Sequence, residues 1–315
     1  MREAEAFVLE TRPRLTTATC HQEFIINMDQ TCVYFSMHSN YTIDKIGTRD
    51  VNILRSGNTS SKVTTAITVT ASGKMLKPMI VFKATPNGRI ATHEFPTYPI
   101  NAVYECQGKE WMDERCVNTW INRVLAPYVR TRPEGVVPIL FLDQYRCHIM
   151  PPVVQRINEL GVRIINIPAG CTSLCQPVDV GINKPFKNRV KDHWRNWLIN
   201  HDLGDEYDDF DNDDDNDDDN DDDNDENENA ANNNNNIPNG NNNVENNNEN
   251  GNNRVDFIIR DPTRHDLALW ITESVNSMPE QLIRNSWRHG NFSYFMDRNE
   301  NDNDENPNEN DNHQM

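Results

Sequence analysis

Three aspartates sit where an acid is hard to explain by solvation alone. Asp29 follows the apolar run Glu-Phe-Ile-Ile-Asn-Met at 23–28, and Asp143 follows the continuous apolar run from Val136 to Leu142. Asp179 lies in IPAGCTSLCQPVDVGINKPFK, residues 167–187, after a third apolar strand and a glycine turn. A carboxylate at the edge of a core is costly unless it is paired or binds a cation. A single such aspartate reads as a turn or a helix cap. Two at the ends of buried strands, with a third after another strand, read as a converging set. Hard oxygen ligands of this kind suit Mg²⁺ or Mn²⁺. Two such ions held ~3.5–4 Å apart would activate the attacking oxygen and stabilise the leaving oxygen of a phosphodiester.

Several neighbours have the chemistry to support these acids. Asn27 and Thr31 flank Asp29, and Gln176 and Asn183 flank Asp179. His148, five residues after Asp143, either orients that acid, positions substrate, or packs as a structural histidine beside Cys147. At about 100° per residue, Ile182, Phe186, Val190, Trp194 and Trp197 share one helix face, and Asp179 falls within the same arc. Lys184, Lys187, Lys191 and Arg195 line the opposite side, as a solvated face or as contacts to DNA phosphates. Cys147, His148, Cys171 and Cys175 are the closest grouping for zinc. Their spacing matches no common module, and buried free thiols are the simpler reading.

The elements that must carry these residues can be read in order. Residues 23–28 form a buried strand stopping at Asp29. Lys62–Thr70 and Met75–Lys83 form a hairpin turning at Ser72-Gly73. Residues 113–130 place Val117, Trp120, Ile121, Val124, Leu125 and Tyr128 at helical spacing, with Pro127 late enough to bend or end the helix. The strand Val136–Leu142, a helix Pro151–Leu160 stopped by Gly161, the strand Val162–Ile167 and the Lys-rich helix follow. This order predicts an α/β fold, a mixed sheet flanked by helices, with ligand sites at the carboxyl ends of strands.

Charge divides the chain. Its 315 residues carry a net charge of −19. Residues 1–201 hold 24 Lys+Arg against 17 Asp+Glu, a net of +7, whereas 202–315 hold 6 against 32, a net of −26. The first part is thus mildly basic, as a phosphate-binding surface would be. Residues 202–253 are an Asp/Asn-rich insertion expected to be disordered, acting as a passive linker or as an internal competitor for the basic surface. Residues 254–296 regain apolar periodicity, through Leu267, Trp270, Ile271, Val275, Leu282, Ile283 and Trp287. Two short helices parted near Met278-Pro279 are expected there, docking on the core formed by 1–201. Residues 297–315 form a second acidic tail. Seven scattered cysteines without a CxxC pair suit a reducing compartment. With no apolar run of membrane-spanning length and no signal-peptide core, the expectation is a soluble intracellular protein without a membrane or small-molecule cofactor.

INMDQT at 26–31, FLDQYRCH at 141–148 and the 167–187 segment together resemble the DDE endonuclease domain of pogo/Tigger-type, mariner-like transposases. The family pattern places acids at Asp29, Asp143 and Asp179, and 35 residues lie between the last two. KVTTAITVTASGKMLKPMIVFK also resembles the family's hairpin. The resemblance covers about 23–200 and, more weakly, 263–296. It implies a ribonuclease H-like fold, Mg²⁺- or Mn²⁺-dependent cleavage and strand transfer of DNA, and a nuclear location. Related transposases carry helix-turn-helix modules ahead of this domain, and only about twenty residues precede the first strand here. A separate DNA-binding subunit or an oligomer would then supply terminal-repeat recognition. The alternatives are a domesticated, non-catalytic DNA- or chromatin-binding protein, a truncated transposase fragment, and an interaction protein whose acids are caps.

Overall fold

The computed structural model describes residues 2–15, 19–37, 61–109, 111–202 and 262–292. The acidic insertion at 202–253 and the tail at 297–315 lie outside the described residues, save for the helix end at 202.

Helix α1 (Arg2–Leu15) leads to strand β1 (Ile25–Tyr34), which is followed by β2 (Lys62–Thr70), β3 (Met79–Lys83) and β4 (Val103–Gln107). Helices α2 (Glu114–Trp120) and α3 (Ala126–Val129) are joined by a π turn at Ile121–Leu125. Then come β5 (Ile139–Leu142), α4 (Pro151–Glu159), β6 (Arg163–Asn166), the short α5 (Thr172–Cys175) and a π turn at Val178–Ile182. The long α6 (Asn183–Asp202) follows, and α7 (Arg264–Asn276) and α8 (Glu280–Trp287) close the described chain.

The strands form one sheet in the order β4-β3-β2-β1-β5-β6. β2 is antiparallel to both of its neighbours, β1 and β3, while β5 is parallel to β1, β6 to β5, and β4 to β3. This is the mixed, helix-covered sheet of a ribonuclease H-like fold, with β4 as an edge strand that the sequence reading did not foresee. The hairpin turns where expected, with Gly73 at φ +96. Its second strand is less regular than expected. Val69 bridges Met75 while Ala66 pairs with Met79, so the returning chain carries one extra residue. That bulge contains Pro78, which has no N–H to give to the ladder.

Side-chain alternation divides the core into two layers. Ile26, Met28, Leu140 and Leu142 face α2, α3 and α4, where Trp120, Ile121, Val153 and Ile157 are buried. Ile25, Ile139 and Phe141 face α1 and α5–α8, where Phe186, Trp270 and Trp287 pack. Trp287 is fully buried, stacks edge-on against Phe141, and donates its indole N–H to Thr70 O at 3.1 Å. Truncating such a side chain costs about 3–5 kcal/mol, so α8 is anchored to the sheet rather than laid upon it.

One expectation needs correcting here because it concerns an acid. β1 does not stop at Asp29; it runs on to Tyr34, paired with β2 throughout. Its pairing with β5 ends at Asn27–Phe141 instead. The two parallel strands part just before the acids, which opens a crevice at their carboxyl ends.

Candidate active site

Extending the β1–β5 register by two residues from Asn27–Phe141 sets Asp29 beside Asp143. Odd-numbered residues of β1 share one face, so Asn27 and Asp29 both point toward the α5–α6 side. Asn27 is fully buried and ties the local geometry together. Its amide donates to Phe141 O at 3.1 Å, and its Oδ1 accepts from Val178 N at 3.0 Å. One side chain thereby joins β1, β5 and the π turn that carries Asp179. Thr31 is buried two residues further along, opposite Thr65 of β2.

Asp179 sits in the wide π turn ahead of α6 rather than in the α-helix projected from the sequence. Val178 and Ile182 of that turn are buried, while Asp179 is exposed at the mouth of the crevice. Its carboxyl nevertheless lies near enough to that of Asp29 to raise the Asp29 pKa. Asn183 donates to Asp179 Oδ1 at 2.8 Å. Gly181 makes this turn possible, since a Cβ there would meet Ser286 Cβ at 2.6 Å. The sequence reading passed over that glycine. Gln176 is fully buried, and neither of its side-chain amide atoms has a hydrogen-bond partner among the described residues.

Burial pushes the Asp29 carboxyl up to about 8, and the adjacent Asp179 adds to this more than the farther Asp143 does. Two carboxyls in contact cannot both ionise cheaply, so the pair retains a proton at neutral pH unless a cation replaces it. Asp143 behaves oppositely. Burial opposes its ionisation, but the hydrogen bond from His148, helped by backbone N–H donors, outweighs burial and holds it below the usual carboxylate range. His148 Nδ1 lies 2.6 Å from Asp143 Oδ1, which also accepts from Tyr145 N at 3.2 Å.

His148 is 1% exposed. Burial alone would lower its pKa, yet the bonds to Asp143 and Cys147 push it up to about 9. The Gln30 amide nitrogen, 2.8 Å from His148 Nε2, argues against a charged ring. An N–H donor requires a bare nitrogen opposite, so this contact fits a neutral ring with its proton on Nδ1. A doubly protonated ring would need the amide reversed. The direct contacts on both ring nitrogens therefore favour the neutral form, with the Nδ1 proton facing Asp143.

The structure thus brings Asp29 and Asp179 into contact and Asp143 into their electrostatic reach. As they stand, no three His, Cys, Asp or Glu among the described residues are arranged to hold one ion. Asp143 Oδ1 is engaged by His148 and Tyr145 instead. The oxygen donor set and the proton retained by Asp29 nonetheless fit a hard divalent cation, which would satisfy the same charge. Cys147 lies in the α2–α4 layer, whereas Cys171 and Cys175 lie in the opposite one. The zinc grouping therefore does not converge.

Lys184, Lys187 and Arg195 are exposed on α6 and Lys191 is half-buried, with Arg195 paired to Asp192 at 3.1 Å. The stripe faces outward, opposite the buried Ile182, Phe186 and Val190. Two surface grooves of about 500 and 610 Å³ lie away from the acids, between α2 and α4 and beside the start of α7. Among the described residues, no helix is long and apolar enough to cross a membrane.

The chain is similar to known proteins to different degrees. The chain is 27% identical over 179 residues to "Pogo transposable element with KRAB domain" of Mus musculus, covering 55% of this chain and 27% of that protein. It is 29% identical over 132 residues to the human "Jerky protein homolog", covering 40% and 22%. The matched stretches thus span about a quarter of those relatives' lengths. Among solved structures, the "Mos1 mariner paired end complex with Mn" aligns over 63% of this chain and 54% of that one, at 14% identity and a TM-score of 0.42. Residues 60–287 match the model of the DDE superfamily endonuclease, a stretch that includes Asp143 and Asp179 and leaves Asp29 ahead of it, and the chain belongs to that family.

Proposed function

We propose that the chain is a transposase-derived nuclease that cleaves and transfers DNA strands using Mg²⁺ or Mn²⁺ at Asp29, Asp143 and Asp179. The observation that carries this reading is the convergence of Asp29, Asp179 and Asp143, close enough for the other two to raise the Asp29 pKa, where the cleft opens between β1 and β5. An acid pair that must hold a proton when metal-free is poised to exchange it for a divalent cation. When bound, a pair of ions would supply Lewis-acid activation of the attacking oxygen and charge stabilisation of the leaving one. Asp29 and Asp179 would bind from one wall and Asp143 from the other. His148 orients Asp143, Asn183 orients Asp179, and Asn27 sets the spacing of the three segments. Gln176, Thr31 and the outward Lys184, Lys187, Lys191 and Arg195 are assigned supporting roles, the last four toward DNA phosphates. A DNA substrate places the protein in the nucleus, with recognition of transposon ends left to a further DNA-binding module or subunit.

The test is Mn²⁺ binding to the purified chain, followed by electron paramagnetic resonance, alongside nicking of supercoiled plasmid DNA. Saturable binding that Asp143→Ala removes, together with Mn²⁺-dependent nicking, is expected. Absence of both in the folded chain would sink the nuclease reading. One observation favours a second, non-catalytic reading as a DNA- or chromatin-binding protein: the engagement of Asp143 by His148, with no ready ligand geometry among the described residues. That reading predicts DNA binding without Mn²⁺ binding or nicking.

A further inference from the structure

Asp29 and Gln30 are neighbours on β1 and point to opposite faces of the sheet. Gln30 reaches the loop that follows β5: its amide nitrogen lies 2.8 Å from His148 Nε2 and 3.9 Å from Cys147 Sγ. On the far side of the same ring, His148 Nδ1 meets Asp143 Oδ1 at 2.6 Å. The ring is buried, rests edge-on against Tyr145 at 5.7 Å, and its backbone N–H donates to Tyr145 O at 2.8 Å. Backbone pairing between β1 and β5 has already ended at Asn27–Phe141. The Gln30–His148–Asp143 chain of bonds spans the strands beyond that point.

A histidine ring presents a defined proton only when its second nitrogen is also held. We propose that Gln30 is a positioning residue: its amide donates to His148 Nε2, fixes the ring proton on Nδ1, and so aims the Asp143 carboxylate toward Asp29. This rests on the reading of the acids as metal ligands and adds a residue to it. Two adjacent positions of one strand would then serve the site from opposite faces, one as a ligand and the next by orienting a ligand across the crevice.

The experiment uses the full chain with ¹⁵N-labelled histidine rings, with the His148 signals identified by their loss in His148→Gln. At pH 7, without metal, the wild-type ring is expected to show one protonated and one bare nitrogen, well separated. Gln30→Leu keeps comparable volume but removes the donor, and should draw the two signals together as the ring samples both tautomers. Its Mn²⁺ affinity should fall by roughly 10-fold or more, the scale for loss of a group that orients a ligand. Should Gln30→Leu fail to fold, Gln30→Glu keeps the length and offers only acceptors, so His148 Nε2 should become protonated. A wild-type ring protonated on both nitrogens, or either variant with the wild-type ring spectrum, overturns the proposal. Failure of the wild-type chain to bind Mn²⁺ would instead sink the metal reading, while the ring spectra still decide the role of Gln30.

Discussion

Asp29 and Asp143 look alike in the sequence, each an acid after an apolar run, yet the fold treats them in opposite ways. Asp29 lies within a strand, buried against a second carboxyl, and burial with Asp179 pushes it up to about 8. Asp143 lies just past a strand end, where His148 overcomes burial and holds it below the usual carboxylate range. The difference comes from what each strand does next. β1 continues beside β2, so Asp29 stays inside the sheet and meets only the turn that brings Asp179. β5 ends, and its loop folds back to present a ring and a backbone N–H to Asp143. One wall of the cleft therefore holds a proton, and the other holds a preformed charge.

If both walls hold the metal, the contrast in protonation should vanish in function. Alanine at Asp29, Asp143 or Asp179 should each lower Mn²⁺- or Mg²⁺-dependent nicking by roughly 10⁴-fold, as loss of an essential catalytic group does. The folded state should persist: Asp29→Ala and Asp179→Ala relieve repulsion between adjacent carboxyls, whereas Asp143→Ala loses the His148 bond and lowers stability without unfolding the chain. Ca²⁺ should not support the reaction, because it takes more ligands at ~2.3–2.6 Å and loosens the in-line geometry. Full activity in any one of these variants, measured by plasmid nicking, would remove that acid from the assignment.

A second variant attacks the Asp29 wall indirectly. Gly181→Ala would bring a Cβ to 2.6 Å from Ser286 Cβ, so α8 and the Asp179 turn must part. Overpacking of this kind costs about 1–3 kcal/mol. The urea midpoint should fall accordingly, and most of the loss should remain in Gly181→Ala/Ser286→Gly, because the Ser286 Cα would still lie 2.9 Å from the added Cβ. A urea midpoint left unchanged by Gly181→Ala would show that the close approach is not what sets the turn.

The pH dependence of stability distinguishes the two walls most directly. Asp29 titrates at about 8 in the folded chain against an ordinary 3.8, so between those values the folded state holds a proton that the unfolded state has lost. Its contribution is full at acid pH and is lost as pH rises toward 8. Asp143 has the reverse sign: its lowered value contributes above the ordinary range and is lost as pH falls. Metal-free denaturation curves across pH 3–9 should therefore change in opposite directions. Asp29→Asn should remove a decline between pH 3.8 and about 8, and Asp143→Asn a decline as pH falls below the ordinary carboxylate range. Mn²⁺ should stabilise the wild-type chain more as pH rises, since binding displaces the Asp29 proton. Parallel changes in both variants would dissolve the distinction.

The same contrast explains what the sequence disclosed. Apolar runs and glycine turns are local signals, and they located β2, β5, β6, the hairpin turn and α7–α8 to within a few residues. Asp29 was mistaken for a strand end because an acid inside a strand looks like a stop when the partner that tolerates it, Asp179, lies far along the chain. The register of β1 against β5, which sets Asp29 beside Asp143, is a tertiary fact without a local sign. Asp179 was projected on an α-helical wheel, while Gly181 and the packing of α8 widen that turn into a π turn. Helix α1 did leave a trace: Ala4, Phe7, Thr11 and Leu15, its buried residues, recur at helical spacing. Charged residues and Pro13 masked that pattern. β4 is a five-residue edge strand with only Val103 and Cys106 buried, too short a pattern to stand out.

The smallest expected effect concerns how a phosphate approaches a cleft lined by acids. On the Asp179 side, α6 begins directly after the acid-bearing turn and exposes Lys184 and Lys187 on its outer surface. On the Asp143 side, Arg146 is exposed in the loop. If these cations border the path of the DNA backbone, each meets a phosphate in a way that carries no sequence information. Replacing Lys184 and Lys187 together by alanine should weaken binding to unrelated duplexes alike, by a few-fold at moderate salt. The slope of log affinity against log salt should become shallower by about 1 for each phosphate no longer neutralised. Arg146→Ala should act similarly but alone, giving a change of about 1. The two walls would then differ in long-range attraction as they do in protonation, with the Asp29–Asp179 side drawing on two cations and the Asp143 side on one. A salt slope unchanged by the double substitution would return the α6 stripe to an ordinary solvated face, leaving Arg146 to draw in the backbone.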